Sequence, residues 1–197
     1  MAKKGAKYLT LEGVSEGFYK EKGSKFIAYA IPCTSENEVK QHISQLRREN
    51  PQACHVCSAF RLGSDKKTYR SSDDGEPSNS AGPPILGQIQ SFDLTNVLIA
   101  VVRYYGGTNL GVGGLITAYK TSAKQALENA KIVETEDSIR IDFQFAYEEL
   151  STAMKLMKKP GCRIIKQEIN SICQFTVEIP VSDEELINEI QTRYLQE

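Results

Sequence analysis

Apolar and polar positions repeat with two periods along this chain, and each change of period marks an element boundary. Tyr8-Leu9-Thr10-Leu11 and Gly17-Phe18-Tyr19-Lys20 read as short strands, and Lys25–Ile31 reads as a longer one stopped by Pro32. Ser35 and Glu38 have the spacing of a capping box, in which each side chain satisfies a free backbone N–H of the first turn. Val39, Ile43 and Leu46 then recur at helical spacing, and Pro51 ends that helix. Val56–Leu62 and Lys67–Ser71 predict a hairpin around Gly63-Ser64-Asp65-Lys66. A long polar loop leads to a short helix near Ile85–Ser91. Val97–Tyr105 is apolar at both parities, which predicts a strand buried on both faces. Gly113–Ala130 predicts a helix with Leu115, Tyr119, Ala123, Leu127 and Ala130 on one face.

The pattern is more compressed afterwards. Ile139–Phe145 alternates as a strand, and Glu148–Met157 predicts a helix closed by Lys158-Lys159-Pro160-Gly161. Cys162–Ile169 and Ile172–Ile179 predict strands about the turn Asn170-Ser171. Ser182 and Glu185 predict a second capping box ahead of Leu186, Ile190 and Tyr194. The order β-α-β-β-α is ferredoxin-like without an obvious final strand, for which only Leu195-Gln196-Glu197 remains. The expected class is therefore α+β, with two domains, 1–137 and 138–197, joined at the charged stretch Glu134–Ser138. Composition supports the joint: the first part holds 13 of the 14 glycines and both histidines.

Length and charge narrow the function classes. A chain of 197 residues fits one or two domains. Its net charge of -1 and pI of 6.2 do not announce a dedicated nucleic-acid module, although a local basic face remains open. The longest apolar run, Val97–Val102, falls far short of the ~18–20 residues a membrane helix needs. Met1–Lys7 is basic with no apolar run behind it, so no signal peptide is expected. Five cysteines, an odd number in a chain able to build a core, fit reduced thiols and a cytoplasmic protein.

Three stretches go beyond scaffold. In Cys54-His55-Val56-Cys57, the Cys-x-x-Cys spacing suits two zinc thiolates, but no second pair occurs, and two core cysteines explain it as well. The polar loop Tyr69–Pro84 places Asp73, Asp74 and Glu76 within four positions. They suit a hard cation or acid/base work, and also an ordinary solvated turn. The third stretch runs from Arg103 to Leu115, with five glycines between Gly106 and Gly114. Glycines ahead of a helix let backbone N–H groups approach an anion. The run is neither a P-loop nor a clear dinucleotide fingerprint, and tight strand-to-helix packing is its plain alternative. Lys120, Lys124 and Lys131 read as a solvated helix face.

Together these stretches resemble the IMPACT (YigZ) family. The resemblance rests on His55-Val56-Cys57-Ser58-Ala59, Ser71–Pro77, Gly82-Pro83-Pro84-Ile85-Leu86, Val101–Thr108, Leu110–Leu115 and Ala118-Tyr119, in that order, over residues 15–130. The tail resembles the small domain of two-domain bacterial members. The resemblance implies a first domain similar to the second domain of ribosomal protein S5. It implies a ferredoxin-like second domain resembling domain V of elongation factor G. Eukaryotic members act in translational control, by competing for the activator of an initiation-factor kinase.

Three functions are therefore open. The first is a translation-associated binding protein that contacts RNA, the ribosome or a ribosome-associated partner through Lys20, Lys22, Lys25, Arg103, Lys120 and Lys124, with bases stacking on Tyr104 or Tyr105. The second is a hydrolase or phosphate-ligand enzyme using His55, Asp73, Asp74 and Glu76. The third is a protein-interaction regulator without nucleic-acid contact. In each case the expected site has Arg103, Tyr104, Tyr105, Gly106, Gly107, Thr108, Asn109, Gly111, Gly113, Gly114 and Lys120 on one wall, and His55 with the acidic loop on the other. No cofactor, resident metal or membrane partner is expected. A sheet edge in the second domain offers a route to dimers that nothing in the sequence requires.

Overall fold

Runs that are apolar at both parities need cover on two faces, and the first unit provides it. A computed structural model describes residues 7–195, which form two units: Tyr8–Thr135, and the residues from Glu136 onward. In the first unit, β2 (Ser15–Glu21), β3 (Ser24–Pro32), β6 (Val97–Tyr104), β4 (His55–Leu62) and β5 (Thr68–Ser72) form an antiparallel sheet in the order β2-β3-β6-β4-β5. Helices α2 (Gly82–Ser91) and α3 (Gly111–Glu128) cover one face over Phe26, Ala28, Cys57, Ala59, Ile99 and Val101. Helix α1 (Glu36–Glu49) lies on the other with Val56, Phe60, Leu98, Ala100 and Val102. The two sets alternate along β4 and β6, so both parities are buried, as the apolar run predicts.

Local signals set most boundaries. Ser35 accepts the Glu38 N–H at 3.3 Å, but the returning Glu38 carboxylate takes the N–H of Thr34, at 2.8 Å, one residue outside the box. β1 (Tyr8–Leu11) pairs with β7 (Ile132–Thr135), a strand the pattern does not predict. Helix α3 starts at Gly111, two residues earlier than its apolar period indicates. It lies against β2 at Gly17, where a Cβ would sit 2.3 Å from the Ala126 nitrogen.

The second unit is an antiparallel three-stranded sheet with helices on one face. β8 (Ser138–Ala146), a 3-10 turn at Tyr147–Glu149, α4 (Leu150–Met157), β9 (Arg163–Glu168), β10 (Ile172–Pro180) and α5 (Glu184–Tyr194) follow in the expected order. The sheet order is β8-β10-β9. Its core joins Ile141, Phe143, Phe145, Phe175 and Val177 to Leu156, Leu186 and Ile190, and Tyr194 stacks on Phe143 at 5.2 Å. The cap of α5 is Asp183, whose Oδ1 accepts the Leu186 N–H at 3.1 Å, in place of the predicted Ser182. No strand follows α5 among the described residues, and Gln196 and Glu197 lie outside them.

Candidate functional site

At one end of the five-stranded sheet, His55 opens β4 directly across from Arg103 on β6. The β5–α2 loop folds over this end and brings Glu76 down onto it. Arg103 Nη1 donates to Glu76 Oε1 at 2.5 Å, and the Tyr119 hydroxyl from α3 donates to the same oxygen at 2.7 Å. His55 Nε2 lies 4.0 Å from it. The other ring nitrogen of His55, Nδ1, donates to the Asp74 carbonyl at 2.7 Å. The Arg103 and Glu76 side chains retain only 7% and 3% of their exposure. The guanidinium also lies over the rings of Phe26 and Tyr105, 5.4 and 5.6 Å from their centroids, while its Nε is buried without a hydrogen-bond partner among the described residues.

The other two carboxylates of the loop bind backbone. Asp73 Oδ1 accepts the N–H groups of Gly82 and Ala81 at 2.7 and 2.9 Å, and Oδ2 accepts that of Asn79 at 2.8 Å. It thus caps α2, which has no cap from its own flanking residue. Burial alone would raise the Asp73 carboxyl, but these three donors outweigh it and hold it below the ordinary value. Asp74 accepts the Val56 N–H at 2.6 Å and pairs with Arg47 of α1. Asp74, Gly75 and Asn79 have positive φ, so the loop is a succession of tight turns and not a floppy strap. Cys57 is buried and donates to the Asp73 carbonyl at 3.0 Å. Burial, opposed by a Tyr119 hydrogen bond and aided by the nearby carboxylates, pushes its thiol up to about 12. Cys54 is exposed, and no cluster of three or more metal-ligating side chains occurs among the described residues.

The glycine-rich wall is laid out differently. Tyr104 turns to the α1 side and donates to Asn50 Oδ1 at 2.6 Å. Tyr105 is half exposed, and its hydroxyl reaches Asn109 at 3.2 Å. Gly106 packs on the β2–β3 turn: its Cβ would lie 2.0 Å from the Gly23 carbonyl carbon, and its N–H donates to Ser24 Oγ at 3.1 Å. By contrast, Gly107, Gly111 and Gly113 face open space, and Thr108 and Asn109 are exposed. Gly114 meets only the Leu110 side chain. Helix α3 begins here with Leu110 at its cap position, which offers no side-chain acceptor, and among the described residues no other side chain takes its first N–H groups, which are left for solvent or a ligand.

Around this opening the exposed cations are Lys20, Lys22 and Lys25 on the adjoining hairpin. Lys20 and Lys25 are direct cross-strand partners, a pairing of like charges. Arg103, expected to present its cation here, is buried against Glu76. Lys120 is exposed, whereas Lys124 pairs with Glu128 at 3.1 Å and Lys131 with Glu12 at 2.8 Å. The structure thus brings His55, Asp74, Glu76 and Arg103 together, and leaves the glycine loop open beside the lysine hairpin. The residue that sequence reasoning missed is Tyr119. It lies in an apolar stripe, where a phenol needs a partner when buried, and that need was the available signal.

These features define an α+β protein whose glycine-rich helix start adjoins a buried Arg–Glu–Tyr cluster. The chain belongs to the IMPACT family. The Impact N-terminal domain matches residues 22–127. An IMPACT family member from Thermus thermophilus is 34% identical over 161 residues, covering 82% of this chain and 87% of that protein. The family member YigZ of Escherichia coli K12 is 31% identical over 163 residues, covering 82% of this chain and 80% of its own. A crystal structure described as that of a hypothetical protein aligns with a TM-score of 0.71 and 27% identity, over 95% of this chain and 92% of that one.

Proposed function

We propose that this protein is a cytoplasmic binding protein acting in translational control, and that the open glycine loop and the lysine hairpin carry its contact with RNA or the ribosome. The observation that carries the reading is the cluster of Lys20, Lys22 and Lys25 beside an uncapped helix start and the exposed ring of Tyr105. Like charges held opposite each other are unfavourable in the free protein, and a phosphate partner relieves them. Family membership supports the translational setting, since eukaryotic IMPACT proteins work there. No helix among the described residues is long and apolar enough to cross a membrane. We further read the first unit as S5 domain 2-like and the second as ferredoxin-like, similar to domain V of elongation factor G; the strand order β8-β10-β9 supports the latter.

Sucrose-gradient sedimentation of lysate tests the reading. Co-migration with ribosomal subunits at low salt should be lost at high salt, because each neutralised phosphate releases counterions. The combined variant Lys20→Glu, Lys22→Glu, Lys25→Glu should stay at the top of the gradient. Migration at the top at every salt concentration, or co-migration indifferent to salt, refutes electrostatic binding. The second outcome would favour a protein partner without nucleic-acid contact.

A hydrolytic reading has one observation in its favour, the placing of His55 between the Asp74 carbonyl and the Glu76 carboxylate. Against it, Asp73 is engaged by backbone N–H groups, Asp74 by Val56 and Arg47, and Glu76 by Arg103 and Tyr119. A hydrolase screen in which His55→Ala abolishes a turnover shown by the wild type would reverse the ranking.

A further inference from the structure

We propose that the free edge of β8 is a self-association surface, and that its partner is β8 of a second copy of this chain. An edge strand presents unpaired N–H and C=O groups, and proteins usually blunt such edges. Among the described residues, the other edges are short, covered or irregular, and β1 and β7 have only four residues each. β2 is covered by α3, which lies on Gly17 and takes the Phe18 N–H through Gln125 at 2.9 Å. β5 has only five residues. β9 is short and its register with β10 shifts at Thr176/Val177. β8 is longer and more regular: it runs nine residues without proline or bulge, in unbroken register with β10, and among the described residues no strand pairs with its other side.

Its sequence is self-complementary in one register. Ile139, Ile141, Phe143 and Phe145 point to the core, while Arg140, Asp142 and Gln144 point to the exposed face. Directly opposed residues in a continuous sheet share a face, so a two-fold axis must pass through a residue and not between residues. With the axis on Ile141, Ile139 faces Phe143, Ser138 faces Gln144, and Arg140 faces Asp142 twice. An axis on Asp142 opposes two carboxylates, and an axis on Arg140 opposes two guanidinium groups. An axis on Phe143 leaves both charges facing neutral residues. Within one copy, among the described residues, Arg140 makes a long contact with Glu178, 3.9 Å, and its side chain is 67% exposed. It is therefore available to the Asp142 of another copy. The Ile141-centred pairing would join two three-stranded sheets into one of six strands with both helix layers on the same face.

Sedimentation equilibrium of the full chain across a concentration series tests this, with Arg140→Asp, Asp142→Arg and the double exchange. The wild type should dimerise. Each single reversal should weaken the dimer about tenfold by opposing like charges at two symmetric positions, and the double exchange should restore it. A wild type that remains monomeric at the highest concentration overturns the proposal. So does a dimer whose dissociation constant ignores both reversals, since that dimer uses another surface. Amide exchange of the wild type provides a readout free of substitutions: protection of β8 amides must rise with protein concentration, and its failure to do so also overturns the proposal.

Discussion

Replacing Glu76 with Gln would remove one charge from a buried pair while keeping the shape of the side chain. The Arg103 guanidinium would then sit at 7% exposure with an orphaned Nε and only a neutral acceptor at Nη1. At an effective dielectric constant of ~20, unit charges ~4 Å apart attract by about 4 kcal/mol. Removing one member of a buried pair costs about 3–5 kcal/mol, because the survivor is left uncompensated. The Tyr119 hydroxyl also exchanges an ionised acceptor for a neutral one, which acts in the same direction. Against a usual domain stability of ~5–15 kcal/mol, the variant should fold but melt roughly 10–20 °C lower. Urea denaturation followed by circular dichroism measures the loss. A double-mutant cycle with Arg103→Met isolates the coupling, since replacing both charges leaves neither stranded. A single-variant cost under about 1 kcal/mol, or costs that simply add in the double variant, would refute the view that this pair pins the acidic loop to the sheet.

Other expectations follow from the same end of the sheet. The Asp73 carboxyl lies below its ordinary value in the folded protein, so its contribution is present above the unfolded pKa of ~3.9 and is lost as pH falls through the folded value. Melting curves taken on the acid side should show that loss in the wild type and a shallower one in Asp73→Asn, which should cost about 0.5–2 kcal/mol at neutral pH as a weakened cap. Gly106→Ala should destabilise by about 1–3 kcal/mol in urea, because its Cβ meets Gly23 and Ser24 backbone at 2.0 and 2.2 Å. Gly113→Ala should instead stabilise by up to about 1 kcal/mol, since the residue is helical with open space around it.

Much of the architecture was legible because burial writes itself into period. The strand β6 is apolar at both parities because α1 covers one face and α2 and α3 the other. β7 was not legible: its four residues pair with β1, more than 120 positions away, and carry no turn that announces a strand. Asp183 and Ser182 are both good caps, and only the chain's direction into α5 selects between them. The acidic loop shows the same limit at the site. Its residue types mark Asp73, Asp74 and Glu76 as a group, but their separate fates depend on which donors the fold delivers to each. Two find backbone N–H groups and one finds a buried arginine and a phenol.

The glycines of the 106–114 run separate what the fold requires from what it leaves unexplained. Gly106 is held by its contact with the β2–β3 turn, and Gly107 and Gly111 take left-handed backbone that most residues resist. Gly113 has neither reason. It lies inside the first turn of α3, where glycine costs helix stability, and a methyl group there would touch nothing. A residue that weakens the free protein without serving its packing fits a surface that a partner approaches closely at backbone distance. Gly113→Ala separates the two roles, because its effects on stability and on binding should have opposite signs. A variant that is more stable yet no longer travels with ribosomal subunits would place the partner on the start of α3. One that is more stable and travels unchanged would remove the helix start from the contact and leave the lysine hairpin to carry it alone.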